Sequence, residues 1–209
     1  MPETLPETTV APVAESIEDS LDPRIRRTRV LLQDALGKLL QEKEFDKISV
    51  QDIAESATVN RATFYDHYAD KYALLECMVA RRFIDLLAAR GVAFDGNCGS
   101  ALRAIVLGVC DYLASLPGQE CKRQVQMEPH MEAAVIAVVR RMILDGVERH
   151  PPKDGVSAGM LAATLSWAIF GAAKEWVKTP ERGSSEIAVE QVMGLLTPLF
   201  RAAYAEPAH

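Results

Sequence analysis

The side chains best suited to do chemistry are gathered in one stretch, ISVQDIAESATVNRATFYDHYADKYALL, residues 48–75. If residues 61–68 are helical, Phe64 and Tyr68 lie one turn apart and face inward, which leaves Ala62, Thr63, Tyr65, Asp66 and His67 on the outer arc. That arc suits a helix laid into the major groove of DNA. Arg61 can fork onto guanine O6 and N7, Thr63 can meet a base edge or a thymine methyl, and Ala62 lets the backbone come close. Tyr65 and His67 are placed as phosphate donors, which fix register without reading sequence. Lys71 falls in the first turn of the following helix, where free amides and the positive dipole end favour an anion, so it is a candidate phosphate clamp. Arg26, Arg27, Ser49 and Gln51 complete the candidate DNA-binding set, and Arg24, Arg26, Arg27 and Arg29 crowd into six residues. Each of these is also a common solvated surface type. It is their combination with local structure signals that argues for an interface.

Those signals are caps and periodicity. Apolar residues recur at helical spacing from Arg24 to about Lys43 (Leu31, Leu32, Ala35, Leu36, Leu39, Leu40). Ser49 with Asp52 three residues on is a capping-box pattern, and Asn60 and Asp70 are further N-caps. Thr58–Asn60 has the length of a tight turn between two short helices. The fold class expected is therefore all-α, about nine helices: an N-terminal three-helix head with a helix-turn-helix, then a helical C-terminal domain. The later elements expected are a loop over residues 91–99, then helices over 100–115, 117–128 (short, or helix plus turn), 129–150, 155–178 and 185–204, the last kinked by Pro198. No β-type alternation and no internal repeat is visible.

The segment DIAESATVNRATFYDHYADKYALL resembles the signature of the TetR family, in outline T-x-x-x-I-A-x-x-A-G-V-S-x-G-T-x-Y-x-H-F-x-x-K-x-x-L. The positions that match are Ile53, Ala54, Ala57, Val59, Thr63, Phe64, Tyr65, His67, Lys71 and Leu74. The resemblance implies a DNA-binding head, a variable ligand domain and dimerisation through the last two long helices. It implies a ligand-responsive repressor released from operator DNA by a small molecule; the alternative is a helical interaction or thiol redox-sensing regulator. Two positions depart from the pattern. Thr58 stands where Gly usually forms the turn, so the turn is either reshaped or strained, and Glu44 stands where Gly often ends the first helix.

Composition sets bounds on this reading. The 209 residues carry a net charge of −6, an unpromising value for a DNA binder. Six of the 29 acids, however, sit in residues 1–22 without a base, and the remainder of the chain balances at 23 bases and 23 acids. The domains expected are a disordered acidic N-terminal arm (1–22), the DNA-binding domain (23–71) and the effector-binding and dimerisation domain (72–205). Cys77, Cys98, Cys110 and Cys121 form no CxxC or zinc-finger spacing, so no metal and no cofactor are expected. Only four histidines are present, none beside a plausible nucleophile motif, which argues against an enzyme. With no long uncharged apolar run and no basic-then-apolar leader, a cytoplasmic protein without a membrane span is expected.

The partners expected are double-stranded operator DNA, a second copy of the chain and an unidentified small-molecule effector. For the dimer, Gly159, Ala163 and Gly171 keep one late helix slim while Met160, Leu165, Trp167 and Phe170 give it bulk. Val189, Val192, Met193, Leu196, Leu199 and Phe200 supply a matching face, although the same residues could equally be intrachain core. Candidate pocket residues are Phe83, Leu87, Leu102, Val106, Cys110 and Met127, together with His130, Met131, Trp167 and Phe170. Glu128 and Glu132 would suit a cationic ligand.

Overall fold

A computed structural model of the protein describes residues 22–91, 99–116, 127–152 and 156–204. Among these residues the fold is all-helical, with no strand. Eight α-helices follow one another: α1 (Pro23–Glu42), α2 (Val50–Ser56), α3 (Arg61–His67), α4 (Lys71–Ala89), α5 (Gly99–Ser115), α6 (Glu128–Arg149), α7 (Ala158–Lys178) and α8 (Ser185–Tyr204). A 3-10 turn, Phe45–Lys47, joins α1 to α2. The helix expected over 117–128 apart from its last two residues, which open α6, most of the loop expected over 91–99 and the acidic arm apart from Asp22 lie outside the described residues.

Capping sets the boundaries. Asp22 accepts from the Arg24 amide at 2.8 Å and Pro23 opens α1, where its missing N–H costs nothing. At α2 the capping box is complete. Ser49 Oγ accepts from the Asp52 amide (3.1 Å), and the Asp52 carboxylate accepts from the Ser49 amide (2.8 Å) and hydroxyl (2.6 Å). Asn60 caps α3 through the Thr63 amide (2.7 Å), Asp70 caps α4 through Ala73 (2.8 Å), and Ser157 caps α7 through Met160 (3.1 Å). Helix α8 continues through Pro198.

The two departures from the signature resolve differently. Thr58 adopts φ 58°, the left-handed conformation that Gly would take without cost. Around it the Thr58 amide bonds to the Glu55 carbonyl (3.0 Å) and the Val59 amide to the Ala54 carbonyl (2.9 Å), the paired bonds of a Schellman ending with threonine at its left-handed position. The turn is therefore kept and strained. At the end of α1, Lys43 and Glu44 are both extended (φ −128° and −67°), so that exit needs no left-handed residue and Glu44 is unstrained.

One apolar cluster runs through the chain. In the head it joins Leu32, Leu36, Phe45, Ile48, Ile53 and Phe64, all 1% exposed or less. Helix α4 extends it, giving Leu74 and Leu75 to the head side and Phe83 and Leu87 to the body. There α6 packs on α4 and α7, while α5 packs on α7 and α8. Helix α5 comes so near α4 that a Cβ on Gly108 would run into Leu87 Cδ2.

Candidate nucleic-acid interface

The geometry of α3 follows from its two anchors. Phe64 is fully buried and Tyr68 is 4% exposed, and their rings lie 6.0 Å apart beneath the helix. Tyr68 also accepts through its hydroxyl from buried Gln33 Nε2 at 3.1 Å, and Gln33 Oε1 accepts from Arg81 Nη1 at 3.4 Å. The end of α3 is thereby tied to α1 and α4 at once. A seven-residue helix has little stability of its own, so these ties decide which way it faces.

What it turns outward is the expected set. Arg61, Ala62, Tyr65 and Asp66 are exposed, Thr63 and His67 half-buried. Arg61 lies over the Tyr65 ring (5.6 Å to the centroid) and donates from Nη2 to the Tyr65 hydroxyl at 3.2 Å. That contact holds the guanidinium along the helix face while leaving donors free to fork. Burial, followed by the positive charge of Arg29, pushes the His67 imidazole below its ordinary pKa. At neutral pH it is an uncharged ring that offers one N–H. On α2, Gln51 is exposed and donates to Glu55 Oε1 at 2.6 Å, while the Ser49 side chain is engaged in the capping box. Arg26 and Arg27 are exposed on the second turn of α1.

The family model for bacterial regulatory proteins of the tetR family matches residues 32–78, from the first helix of the head into α4. Residues 32–78 therefore resemble a tetR-type DNA-binding head. A relative in Bacillus subtilis (strain 168), the uncharacterized HTH-type transcriptional regulator YxbF, is 38% identical over 81 residues, which span 38% of this chain and 21% of YxbF. Among solved structures, Thermus thermophilus FadR, a TetR family repressor in complex with lauroyl-CoA, is similar with a TM-score of 0.56 at 19% identity, covering 87% of this chain and 98% of that one. RolR in complex with resorcinol is similar with a TM-score of 0.50 at 17% identity, over 89% of this chain and 97% of that one. At these identities the structural likeness speaks for the fold.

Within this TetR-type head Lys71 is placed otherwise than a phosphate clamp would be. Its Nζ donates to the carbonyls of Phe45 (2.9 Å), Ile48 (2.9 Å) and Asp46 (3.3 Å) and lies 4.6 Å from the centre of the Phe45 ring. An ammonium has three N–H donors, and all three are taken. Lys71 ties the turn after α1 to the start of α4, a contact across 23 to 26 residues that spacing alone does not reveal.

The body redistributes the other candidates. Phe83, Leu87, Leu102, Val106, Cys110 and Phe170 are buried in the core, and Met127 and Met131 pack against it. Burial, with Asp111 adding to it, pushes the Cys110 thiol up to about 11, so it carries almost no thiolate at neutral pH. Trp167 is 63% exposed and lines no interior, because it falls on the face of α7 opposite Leu165 and Ile169. His130 is also not enclosed. Its Nδ1 meets Glu76 Oε1 at 2.8 Å and its ring lies 4.5 Å from that of Tyr72, which fastens the first turn of α6 to α4 just below the head. Glu128 and Glu132 both pair with Lys174 of α7, and these hydrogen bonds hold the Glu128 carboxyl below its ordinary pKa. Their charge is already met inside the chain.

Sequence reasoning missed part of the outward face of the last two helices. Val189, Val192, Met193 and Leu196 are intrachain core, whereas Met160, Trp167, Ile187, Leu195 and Leu199 are 40–73% exposed. Ile187 and Leu195 belong to a stripe with Gln191, Gly194 and Pro198 at three- and four-residue spacing along α8. Among the described residues no side chain covers that stripe. Among the described residues no helix is long and apolar enough to cross a membrane, and no group of three or more His, Cys, Asp or Glu could hold a metal.

Proposed function

We propose that the protein is a transcriptional repressor that grips operator DNA as a homodimer and is released by a small-molecule effector. The observation that carries this reading is the outward face of α3, where Arg61, Ala62, Thr63 and Tyr65 stand clear of a helix pinned from below by Phe64 and Tyr68. In a helix-turn-helix this is the face whose first residues meet base edges. Arg61 reads guanine, Thr63 reads its neighbour, and Tyr65, His67, Arg26, Arg27 and Gln51 hold phosphates. Ser49 and Lys71 act one step back, fixing α2 and the turn on which the reading helix rests.

The homodimer is supported by the apolar stripe on α7 and α8. Five large apolar side chains on these two helices, at 40–73% exposure, would be left in water by a monomer. Paired across a two-fold axis, α7 and α8 of each copy make a four-helix bundle and set two heads for half-sites about 34–36 Å apart. The effector's chemistry is left open by the likeness: lauroyl-CoA in FadR and resorcinol in RolR are unlike ligands on one architecture. Contacts of α6 on α4 through His130, Tyr72 and Glu76 give an effector in the body a lever on the head.

Selection of bound sequences from random duplex DNA tests the reading. It should enrich two related half-sites, and Arg61→Ala should relax the preference at one position in each. Recovery of unenriched DNA, bound only in proportion to salt, would overturn it.

A further inference from the structure

A shallow groove of about 400 Å³ opens beside the start of α1, lined by Pro23, Arg26, Arg27, Val30, Leu31 and Arg81. Its floor is apolar, with Leu31 43% exposed although its neighbour Leu32 is fully buried, and three guanidinium groups surround it. An apolar floor ringed by arginines suits a segment carrying both acids and aliphatic side chains. The chain has such a segment immediately before α1: residues 15–21 read ESIEDSL, with Glu15, Glu18 and Asp19 beside Ile17 and Leu21.

We infer that the acidic segment Glu15–Leu21 docks in this groove of its own chain and competes there with the DNA backbone. Reach permits it. From Pro23 to Leu31 helix α1 rises about 12 Å, and seven residues of extended chain span up to ~23 Å. Charge favours it as well. Residues 23–71 hold nine Lys and Arg against eight Asp and Glu, so three carboxylates beside Arg26 and Arg27 outweigh the net charge of the whole head. Ile17 and Leu21 would cover the exposed Leu31 and Val30.

Docking here has a consequence that separates it from base reading. Operator and random DNA must both displace the segment, so it lowers affinity for both by one factor and leaves the ratio between them unchanged. It also flattens the salt dependence, because the arginines it covers release fewer counterions when phosphate takes over. This inference rests on the proposed role of Arg26 and Arg27 in holding phosphate.

The test uses the full chain with E15Q/E18Q/D19N, all three in the segment and none in the reading helix. Its control, E148Q/E175Q/E181Q, makes the same change in net charge on α6, α7 and the turn after α7. At low salt the segment variant should bind random duplex about tenfold more tightly than the unaltered protein, with a steeper salt slope, while the control changes little. A labelled peptide of residues 1–21 should bind the segment variant, whose groove is open, more tightly than the unaltered protein. That binding should weaken with salt and be lost when R27A and L31A are added. Equal DNA affinity in segment variant and control, or no peptide binding at low salt, overturns the docking. The proposed DNA-binding function fails on a different result: no duplex bound by any of the three proteins.

Discussion

Replacing Lys71 with methionine keeps the aliphatic stem of the side chain and removes the ammonium, which separates two roles for one residue. In the structure Nζ serves the carbonyls of Phe45, Asp46 and Ile48. Hydrogen bonds to a charged donor contribute about 1.5–3 kcal/mol each when partly buried. The 3.3 Å bond is the weakest, and water can reach the site, so the total falls below that of two full bonds. Allowing for that, K71M should cost about 2–4 kcal/mol, lowering Tm by about 5–15 °C for a chain of this size. K71R should recover only part of this, because a planar fork cannot aim three donors at three converging carbonyls. The second readout is DNA. Loss of a phosphate contact would reduce the slope of log affinity against log salt by about 1. Loss of an internal clamp leaves the slope intact when binding is measured well below the melting range. Thermal unfolding with operator titration at several salt concentrations gives both numbers. An unchanged Tm together with a slope smaller by about 1 would refute the clamp and return Lys71 to the phosphate set.

Other substitutions probe separate links. Thr58→Gly should raise stability by about 0.5–1 kcal/mol, since relief of a β-branched residue at φ 58° exceeds the added freedom of the unfolded chain; denaturant unfolding checks it, and a lower midpoint would contradict the strain. Asp52 is held well below the ordinary carboxylate range by the Ser49 hydroxyl and amide and then by Lys43. Its folded pKa is thus depressed, so its contribution is complete above the unfolded value near ~4 and is lost progressively as pH falls from there through the lower folded value. Melting curves should show D52N less stable than the unaltered protein at pH 6 and the gap closing towards pH 2.5. A gap independent of pH would exclude the carboxylate as the cause. W167E with L195E places two acids on the exposed face of α7 and α8 without touching the core, and light scattering should then report a folded monomer in place of the proposed dimer.

The head was legible because its signals are local. Ser49–Asp52, Asn60 and Asp70 each cap a helix within three residues of themselves, and Phe64 with Tyr68 sets the facing of α3 by helical arithmetic alone. Lys71 could not be read that way. Its partners lie 23–26 residues upstream, and a lysine beside a helix start looks the same whether it points at phosphate or at carbonyls. Trp167 and Leu195 fail for a related reason. Helix α7 carries apolar residues around most of its circumference, so periodicity does not separate the side that meets α5 and α6 from the side left open.

The ties found only in three dimensions form one connected route. His130 stacks near Tyr72, whose ring meets Phe45 edge-on at 5.3 Å, and the Phe45 carbonyl is held by Lys71. Further along α4, Arg81 reaches Gln33, which binds Tyr68 at the end of α3. A shift of α6 against α4 therefore has two mechanical outlets in the head, one at the turn before α2 and one under α3. Breaking them singly should reveal whether both carry coupling. Gln33→Leu with Tyr68→Phe keeps the volume beneath α3 while removing its polar tie, and H130L keeps bulk against Tyr72 without the Glu76 contact. If α4 moves as a rigid lever, either change should reduce the factor by which the proposed effector weakens operator binding while leaving effector affinity in the absence of DNA close to its unaltered value. A variant that lost effector binding outright would show instead that the residue belongs to the pocket.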